Sequence, residues 1–177
     1  TLEENGANVW RMDSNLHADI MNAAFAQLDS KLPDRRGIGM LKHAEGVLKL
    51  WDALKQKYPQ MQFDNCASGG RRLDYESMSR TFTVWRSDTQ CWQIDGVAES
   101  SQIQNFYLSS WLPSHTGGNG AKLDDQYAMA SAMGSGFFVS AWCLQDESRL
   151  PLLRRYFGWA QRVRKYIVRD FFRLTQA

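Results

Sequence analysis

Two aspartates in this sequence are preceded by very similar residues. Each follows a tryptophan and an arginine, in the segments Trp10-Arg-Met-Asp13 and Trp85-Arg-Ser-Asp88. Hydrolysis of a glycosidic bond needs two carboxyl groups, one as nucleophile or base and one as proton donor. A nearby arginine keeps one carboxylate ionised, and an apolar aromatic wall raises the pKa of the other. Either aspartate alone could instead cap a helix or pair with a neighbouring arginine.

A turn of small residues around a cysteine, Asn65-Cys-Ala-Ser-Gly-Gly70, is the third candidate segment. It could bind a phosphate, but the chain has no GxxxxGK[ST] or GxGxxG motif. Cys66 could be a nucleophile, which would require a histidine beside it. The histidines are His17, His43 and His115. The third interpretation is a close-packed turn that admits a polar ligand, with Arg71 or Arg72 at its edge and Arg72 paired to Asp74 or another carboxylate.

Strand-like and helix-like segments alternate along the whole chain. Composition and periodicity predict strands at Ala7–Met12, Met61–Phe63, Thr81–Trp85, Asn105–Leu108 and Gly136–Trp142. They predict helices at Leu41–Tyr58, Leu73–Arg80, Val97–Gln104, Leu123–Met133 and Leu153–Ile167, after a polar stretch that reaches Gly39. Such alternation indicates an α/β fold with a parallel sheet and outer helices. Functional residues then belong at the carboxyl ends of the strands, where Asp13, Asn15, the Cys66 turn and Asp88 fall.

Composition is typical of one globular domain, which we expect to span residues 1–177. The chain is 44% hydrophobic, 23% charged and 12% aromatic, and its formal net charge is +2. That charge is too small to indicate nucleic acid or an anionic membrane as partner. Basic residues do concentrate near the C-terminus, where they fit the solvated face of an amphipathic helix.

The cysteines favour neither a disulfide framework nor a zinc site. Cys66, Cys91 and Cys143 are odd in number and lack CxxC or Cys/His ligand spacing. We expect no metal and no cofactor. No apolar run approaches the roughly 18 residues of a membrane span, so no membrane partner is expected either. The cellular compartment stays open.

Taken in order, these motifs resemble glycoside hydrolase family 36, the melibiase-type α-galactosidases. That family carries K-W-D-x-N, then N-C-A-S-G-G-G-R-x-D, then W-x-S-D. The counterparts here are Arg11-Met-Asp13-Ser-Asn15, the segment from Asn65 to Asp74, and Trp85-Arg-Ser-Asp88. A later segment, Leu108-Ser-Ser110 followed by His115, is also similar to the family.

The resemblance implies a fold and a position within it. The family fold is a (β/α)8 barrel, and the three motifs belong to its fourth, fifth and sixth strands. A complete barrel needs eight strands and roughly 250 residues. We therefore expect a partial TIM barrel of about five βα units, corresponding to strands 4 to 8, with the N-terminal part of the barrel missing.

The resemblance also implies a reaction, a retaining double displacement on terminal α-galactosides or a related α-glycoside. Asp13 is then the nucleophile and Asp88 the acid/base. Six residues correspond to substrate-binding positions, namely Arg11, Asn15, Cys66, Gly69, Arg72 and Trp85. The chain departs from the family where Arg11 replaces lysine, where Arg71 replaces the third glycine, and where Thr89-Gln-Cys-Trp92 lacks the usual second aspartate.

Two alternatives remain beside the enzyme. One is an inactive carbohydrate-binding relative, and the other is a structural or nucleic-acid-interacting domain that uses the basic C-terminal helix. In the enzyme interpretation the partner is a glycoside or oligosaccharide, nucleic acid is not expected, and association into a homo-oligomer is left open.

Overall fold

The computed structural model describes residues 4–15, 18–31, 33–89, 96–112, 115–118, 123–139 and 145–174. The chain divides into two compact units, residues 1–82 and 83–177. Parallel strand pairs and intervening α-helices build both units. The α/β class predicted from the sequence is therefore confirmed, whereas a single domain over residues 1–177 stays a prediction.

In the first unit, a parallel strand pair packs on a long helix. Its elements are β1 (Val9–Met12), α1 (Ala18–Asp29), α2 (Ile38–Lys57), β2 (Gln62–Asn65) and α3 (Tyr75–Met78), with a 3-10 turn at Pro33–Arg35. Trp51 of α2 is buried against Met61 and Phe63, and aliphatic residues of α2 surround it. Trp10 of β1 meets Phe63 edge-on, with ring centroids 5.5 Å apart. This core fixes β1 and β2 in a register that pairs Arg11 with Asp64.

The second unit contains three short parallel strands and a separate core. Its elements are β3 (Thr83–Trp85), α4 (Val97–Leu108), β4 (His115–Gly118), α5 (Gln126–Ala132), β5 (Phe137–Phe138) and α6 (Leu150–Ile167), with a 3-10 turn at Glu147–Arg149. Leu153 and Tyr156 of α6 are buried against Leu123 and Met129. The Tyr156 hydroxyl donates a hydrogen bond to the Leu123 carbonyl at 2.9 Å. No helix in the described part of the chain is long and apolar enough to cross a membrane.

Four of the five predicted strands are confirmed. Three of them correspond to β1, β2 and β3, and the beginning of the fifth corresponds to β5. In the predicted strand Gly136–Trp142, residues 137 and 138 form β5, and residues 140–142 lie outside the described residues. The fourth predicted strand, Asn105–Leu108, is wrong because these residues continue α4. The actual fourth strand is β4, whose His115 and Thr116 pair with β3. Its glycines gave no β-propensity signal, so pairing with its neighbours decides its structure.

The polar stretch before Gly39 contains a helix that the sequence analysis missed. Met21, Phe25 and Leu28 of α1 follow helical spacing among good helix formers. Asp29, the last residue of α1, accepts hydrogen bonds from the backbone N–H groups of Gly37 and Gly39 at 2.5 and 2.8 Å. These are N–H groups at the start of α2, which have no acceptor within the helix. Asp29 thereby fixes the turn between the two helices.

Candidate functional site

Asp13 lies directly after β1, with its carboxylate beside Arg11. Arg11 Nη2 is 3.6 Å from Asp13 Oδ2, and Arg11 Nη1 donates to Asp64 Oδ2 at 2.5 Å. Burial lowers the pKa of Arg11, but the hydrogen bond to Asp64 and the surrounding negative charges outweigh it, so the pKa is raised overall. Arg11 therefore keeps its charge beside two carboxylates. Asp64 was missed by sequence analysis, although its place next to Arg11 follows from the register of β1 and β2.

Cys66 is buried immediately after β2 and interacts with Asp13. The pKa of the Cys66 thiol is raised to about 11, chiefly by burial. The backbone at Gly69 and the charge of Arg11 act to lower it, and the hydrogen bond and charge of Asp13 act to raise it. The group is therefore a thiol at neutral pH, which argues against a nucleophilic cysteine because the thiolate is the reactive form. A neutral thiol beside Asp13 is compatible with contact to a polar ligand.

The turn after Cys66 has a strained backbone. Ser68 has φ = 44° and Gly69 has φ = 79°, and the left-handed region is uncommon for a serine. The turn is closed by a hydrogen bond of 3.1 Å from Ala67 N–H to the Gly69 carbonyl. The Ser68 hydroxyl donates to the Ser14 carbonyl at 3.4 Å and to Asn15 Oδ1 at 3.3 Å. The structure thus brings Asn15 to the glycine-containing turn, as expected for residues at neighbouring strand ends.

Arg72 reaches back across both strand ends. Its Nη1 donates to the carbonyl oxygens of Met12 and Cys66 at 3.5 and 3.2 Å, and to Asn65 Oδ1 at 3.3 Å. Asn65, which is fully buried, returns a hydrogen bond to the Arg72 carbonyl at 3.1 Å. Burial lowers the pKa of Arg72, and electrostatic interactions with Cys66, Asp13 and Asp74 act against that shift. Arg72 holds β1 and β2 together, and its contact with substrate stays a prediction.

The predicted pairing of Arg72 with Asp74 is wrong. Asp74 instead caps α3, since its Oδ1 accepts from Ser77 N–H at 2.8 Å and its Oδ2 accepts from the Ser77 hydroxyl at 2.7 Å. An aspartate just ahead of a short helix satisfies N–H groups that the helix cannot. Both of its oxygens are therefore already hydrogen-bonded within α3.

Asp88 is held by Trp85 from the end of β3. The indole Nε1–H donates to Asp88 Oδ1 at 2.8 Å. Trp85 is 5% exposed, and its ring meets Phe138 of β5 edge-on at a centroid distance of 4.9 Å. In this structure Trp85 orients the carboxylate, and its predicted contact with a sugar stays a prediction. Of the segment Thr89–Trp92, residues 90–92 lie outside the described residues.

Arg86, between Trp85 and Asp88, is the centre of a buried polar cluster that sequence analysis missed. It is 4% exposed and donates to Gln104 Oε1 at 2.9 Å, Asn105 Oδ1 at 2.6 Å and the Ser135 hydroxyl at 2.7 Å. Its Nη1 also lies 3.1 Å from His115 Nδ1. Burial lowers the pKa of Arg86 to about 10. The residues come from the position directly after β3, from α4, from β4 and from the turn after α5, so no local sequence signal could have predicted the cluster.

The cluster determines the state of His115. A guanidinium has only donors, so Nδ1 of His115 must accept, and the ring proton then resides on Nε2. The Nε2–H group then donates a hydrogen bond to the Ser109 hydroxyl oxygen, which lies 3.1 Å from Nε2. Burial, followed by the charge of Arg86, lowers the pKa of His115 to about 3. His115 is therefore a neutral, fully buried structural residue, and not a general acid at neutral pH.

The predicted site residues thus form two groups. Arg11, Asp13, Asn15, Cys66, Gly69 and Arg72 lie together in the first unit, and Trp85 and Asp88 lie together in the second. Within the residues that the structure describes, no cluster of three or more histidine, cysteine or acidic side chains is arranged to bind a metal ion.

Known proteins match most of this chain. The family profile described as Melibiase matches residues 9–122, more than half of the 177 residues. An α-galactosidase of Escherichia coli is 45% identical over 40 residues, which cover 23% of this chain and 6% of that protein. Alpha-galactosidase C of Emericella nidulans is 28% identical over 120 residues, which cover 61% of this chain and 15% of that protein.

A solved structure shows the same fold. The GH36 α-galactosidase AgaA from Geobacillus stearothermophilus matches with a TM-score of 0.60 and 15% identity, over 90% of this chain and 22% of that chain. This chain thus spans less than a quarter of the length of the proteins that it matches. The likeness is consistent with a partial (β/α)8 barrel. Because the profile match covers more than half of the sequence, the family predicted from the motifs is confirmed, and this chain belongs to the melibiase family.

Proposed function

We propose that this chain supplies both catalytic carboxyl groups of a retaining glycoside hydrolase that acts on terminal α-galactosides or a related α-glycoside. The observation that carries the proposal is the position of Asp13, at the end of β1 with Arg11 and Cys66 beside it, in a chain of the melibiase family. The matched relatives are named α-galactosidases. In this proposal β1 to β5 correspond to strands 4 to 8 of a barrel, whose first three units lie outside these 177 residues.

Asp13 is the nucleophile in the proposed first step. Its carboxylate attacks the anomeric carbon, and the bond to the leaving oxygen breaks as a covalent glycosyl-enzyme forms. Arg11 Nη2 lies 3.6 Å from this carboxylate, and the Cys66 thiol, neutral at pH 7, does not compete as a nucleophile. Asn15, Gly69 and Arg72 at the same strand ends are proposed to bind the sugar hydroxyls.

Asp88 is the proposed acid/base. Trp85 donates to Oδ1, which leaves Oδ2 as the oxygen that carries the proton for the leaving group. In the second step Asp88 takes a proton from water, which attacks the glycosyl-enzyme and regenerates Asp13. Retention requires the two carboxyl groups to lie roughly 5 to 5.5 Å apart in the working enzyme.

The test uses nucleophile rescue in the full-length protein with 4-nitrophenyl α-D-galactopyranoside. Asp13→Gly and Asp88→Ala should each lower turnover by about 1000-fold or more, because each removes a group that acts in the transition state. Azide should restore turnover in both, giving the β-galactosyl azide with Asp13→Gly and the α-galactosyl azide with Asp88→Ala. The opposite anomers follow from attack on opposite faces of the sugar.

A matched control is Asp52→Asn, which removes an exposed carboxylate that pairs with Arg80 and should leave turnover unchanged. The assigned roles would be contradicted if both variants gave the same anomer of the galactosyl azide. They would also be contradicted if Asp13→Gly kept its turnover without azide. The inactive sugar-binding alternative requires wild-type protein that binds galactosides without turnover. Neither it nor the nucleic-acid alternative is favoured by membership of the melibiase family.

A further inference from the structure

A cavity of about 560 Å³ opens in the first unit, and its lining includes Arg72 but none of the other residues that are proposed to act on the sugar. Three walls enclose it, formed by α1, by the N-terminal half of α2, and by the segment after β2 that contains Arg71. Binding sites for small organic molecules are typically about 300–1,000 Å³ and combine an apolar lining with a few polar groups. The cavity therefore has the size of a small-molecule site.

The apolar wall of the cavity is formed by the same face of α2 that packs into the core of the first unit. Met40, Ala44 and Val47 are spaced on the same helix face as Trp51. Trp51 is 1% exposed in the core, whereas Met40, three turns earlier, is 55% exposed because no described residue covers it. Phe25 of α1 forms part of the facing wall. The space between α1 and α2 can therefore accept an apolar body and remove this surface from water.

Charge at the rim of the cavity is uneven. Asp74 lines the cavity, but both of its oxygens cap α3. Glu76 also lines it and is paired with Arg80 Nη1 at 2.7 Å. Arg71, in contrast, is exposed and makes no hydrogen bond or ion pair with any residue that the structure describes. Arg72 also lines the cavity, but it is half-buried and donates to the carbonyl oxygens of Met12 and Cys66 and to Asn65. Arg71 is therefore the exposed guanidinium at the rim that remains available to a ligand.

We propose that this cavity binds a small amphipathic anion, with its carboxylate or phosphate on Arg71 and its aromatic or alkyl body between α1 and α2. A guanidinium is suited to this role because its parallel N–H groups can donate to two oxygens of one anion. Ser14 and Ala67 line the cavity and are direct neighbours of Asp13 and Cys66 in the sequence. The inference does not depend on the proposed hydrolysis.

The experiment compares two probes of the same shape, 2-naphthoate and the neutral 2-naphthalenemethanol, by isothermal titration calorimetry with the whole chain. We expect saturable binding of 2-naphthoate with a Kd below about 1 mM. The neutral probe should bind about 10-fold more weakly, since it lacks the charge-assisted hydrogen bonds. Arg71→Ala should weaken 2-naphthoate by a similar factor and leave the neutral probe unchanged.

Two further variants complete the test. Arg36→Ala removes another exposed arginine of the first unit that does not line the cavity, and it should leave both affinities unchanged. Ala44→Phe fills the space beside α2 and should weaken both probes. The proposal is overturned if neither probe saturates, or if the preference for the anion survives in Arg71→Ala. Arg71 is exposed, so a thermal melt should show that its variant remains folded.

Discussion

Arg11 and Arg86 occupy the same position in two nearly identical segments, two residues before an aspartate and one after a tryptophan, yet their surroundings are opposite. Arg11 has a side chain that is 38% exposed and lies beside two carboxylates. Arg86 is 4% exposed and is surrounded by amide, hydroxyl and imidazole groups, and no carboxylate of the described residues is among its hydrogen-bond partners. The shared motif therefore does not determine the electrostatics of either arginine.

The neighbouring strand makes the difference. Arg11 is paired in register with Asp64 of β2, so a negative charge stands next to it. Arg86 extends β3 beside β4, where its N–H donates to the Thr116 carbonyl and its side chain meets His115. The first arginine can act on a ligand or on Asp13 through its charge, whereas the second joins four elements of the second unit.

The largest expected effect that tests this contrast is the pH dependence of stability from His115. The ring takes up a proton near pH 6.5 in the unfolded chain and near pH 3 in the folded one. Its contribution is therefore fully present above pH 6.5 and is lost as the pH falls toward 3, by about 5 kcal/mol in all. His115→Asn keeps an acceptor for Arg86 and should remove this part of the acid sensitivity in urea unfolding curves measured between pH 3.5 and 7.

His43 provides the matched control, since it is exposed on α2. His43→Asn leaves the cluster around Arg86 intact, so this variant should keep the acid sensitivity that His115→Asn removes. If His115→Asn and the wild type lose stability in parallel between pH 6.5 and 3.5, then His115 is not a buried neutral ring and the cluster around Arg86 is described incorrectly.

The second prediction compares Arg86→Met with Arg11→Met. Removing Arg86 leaves several buried acceptors without a donor, so the unfolding free energy should fall by about 3 kcal/mol. Removing Arg11 breaks half-exposed ion pairs and should cost no more than about 1 kcal/mol. Urea unfolding at pH 7 measures both. Equal losses in the two variants would mean that the motif, and not the neighbouring strand, sets the role of its arginine.

Local signals were sufficient for much of the fold. β1 and β3 contain aromatic and β-branched residues, and the apolar residues of α2 recur at helical spacing, so these elements could be predicted. β4 could not, because Gly117 and Gly118 contribute no propensity and the strand exists through its pairing with β3 and β5. The end of α4 was predicted as a strand from Phe106 and Tyr107, whose preference is overridden by continuation of the helix.

For the candidate site, the positions of the residues were predictable and their partners were not. The rule that parallel strands carry functional residues at their carboxyl ends places Asp13 and the Cys66 turn correctly. Of the two alternatives predicted for Arg72, Asp74 or another carboxylate, Asp74 is wrong because its oxygens are taken by the N–H and hydroxyl of Ser77. Pairings such as Arg11 with Asp64 depend on strand register, which spacing alone does not reveal.

The smallest predicted effect sharpens the comparison through salt. The ion pairs of Arg11 are accessible to solvent, and at 1 M salt the screening length falls to about 3 Å. The stability lost in Arg11→Met should therefore shrink from at most about 1 kcal/mol in 0.05 M NaCl to a few tenths in 1 M NaCl. The loss in Arg86→Met should stay the same, because ions cannot reach a buried cluster of neutral acceptors. Urea unfolding at the two salt concentrations distinguishes the cases, and a salt-dependent penalty for Arg86→Met would indicate that its guanidinium is balanced by a charge that water can reach.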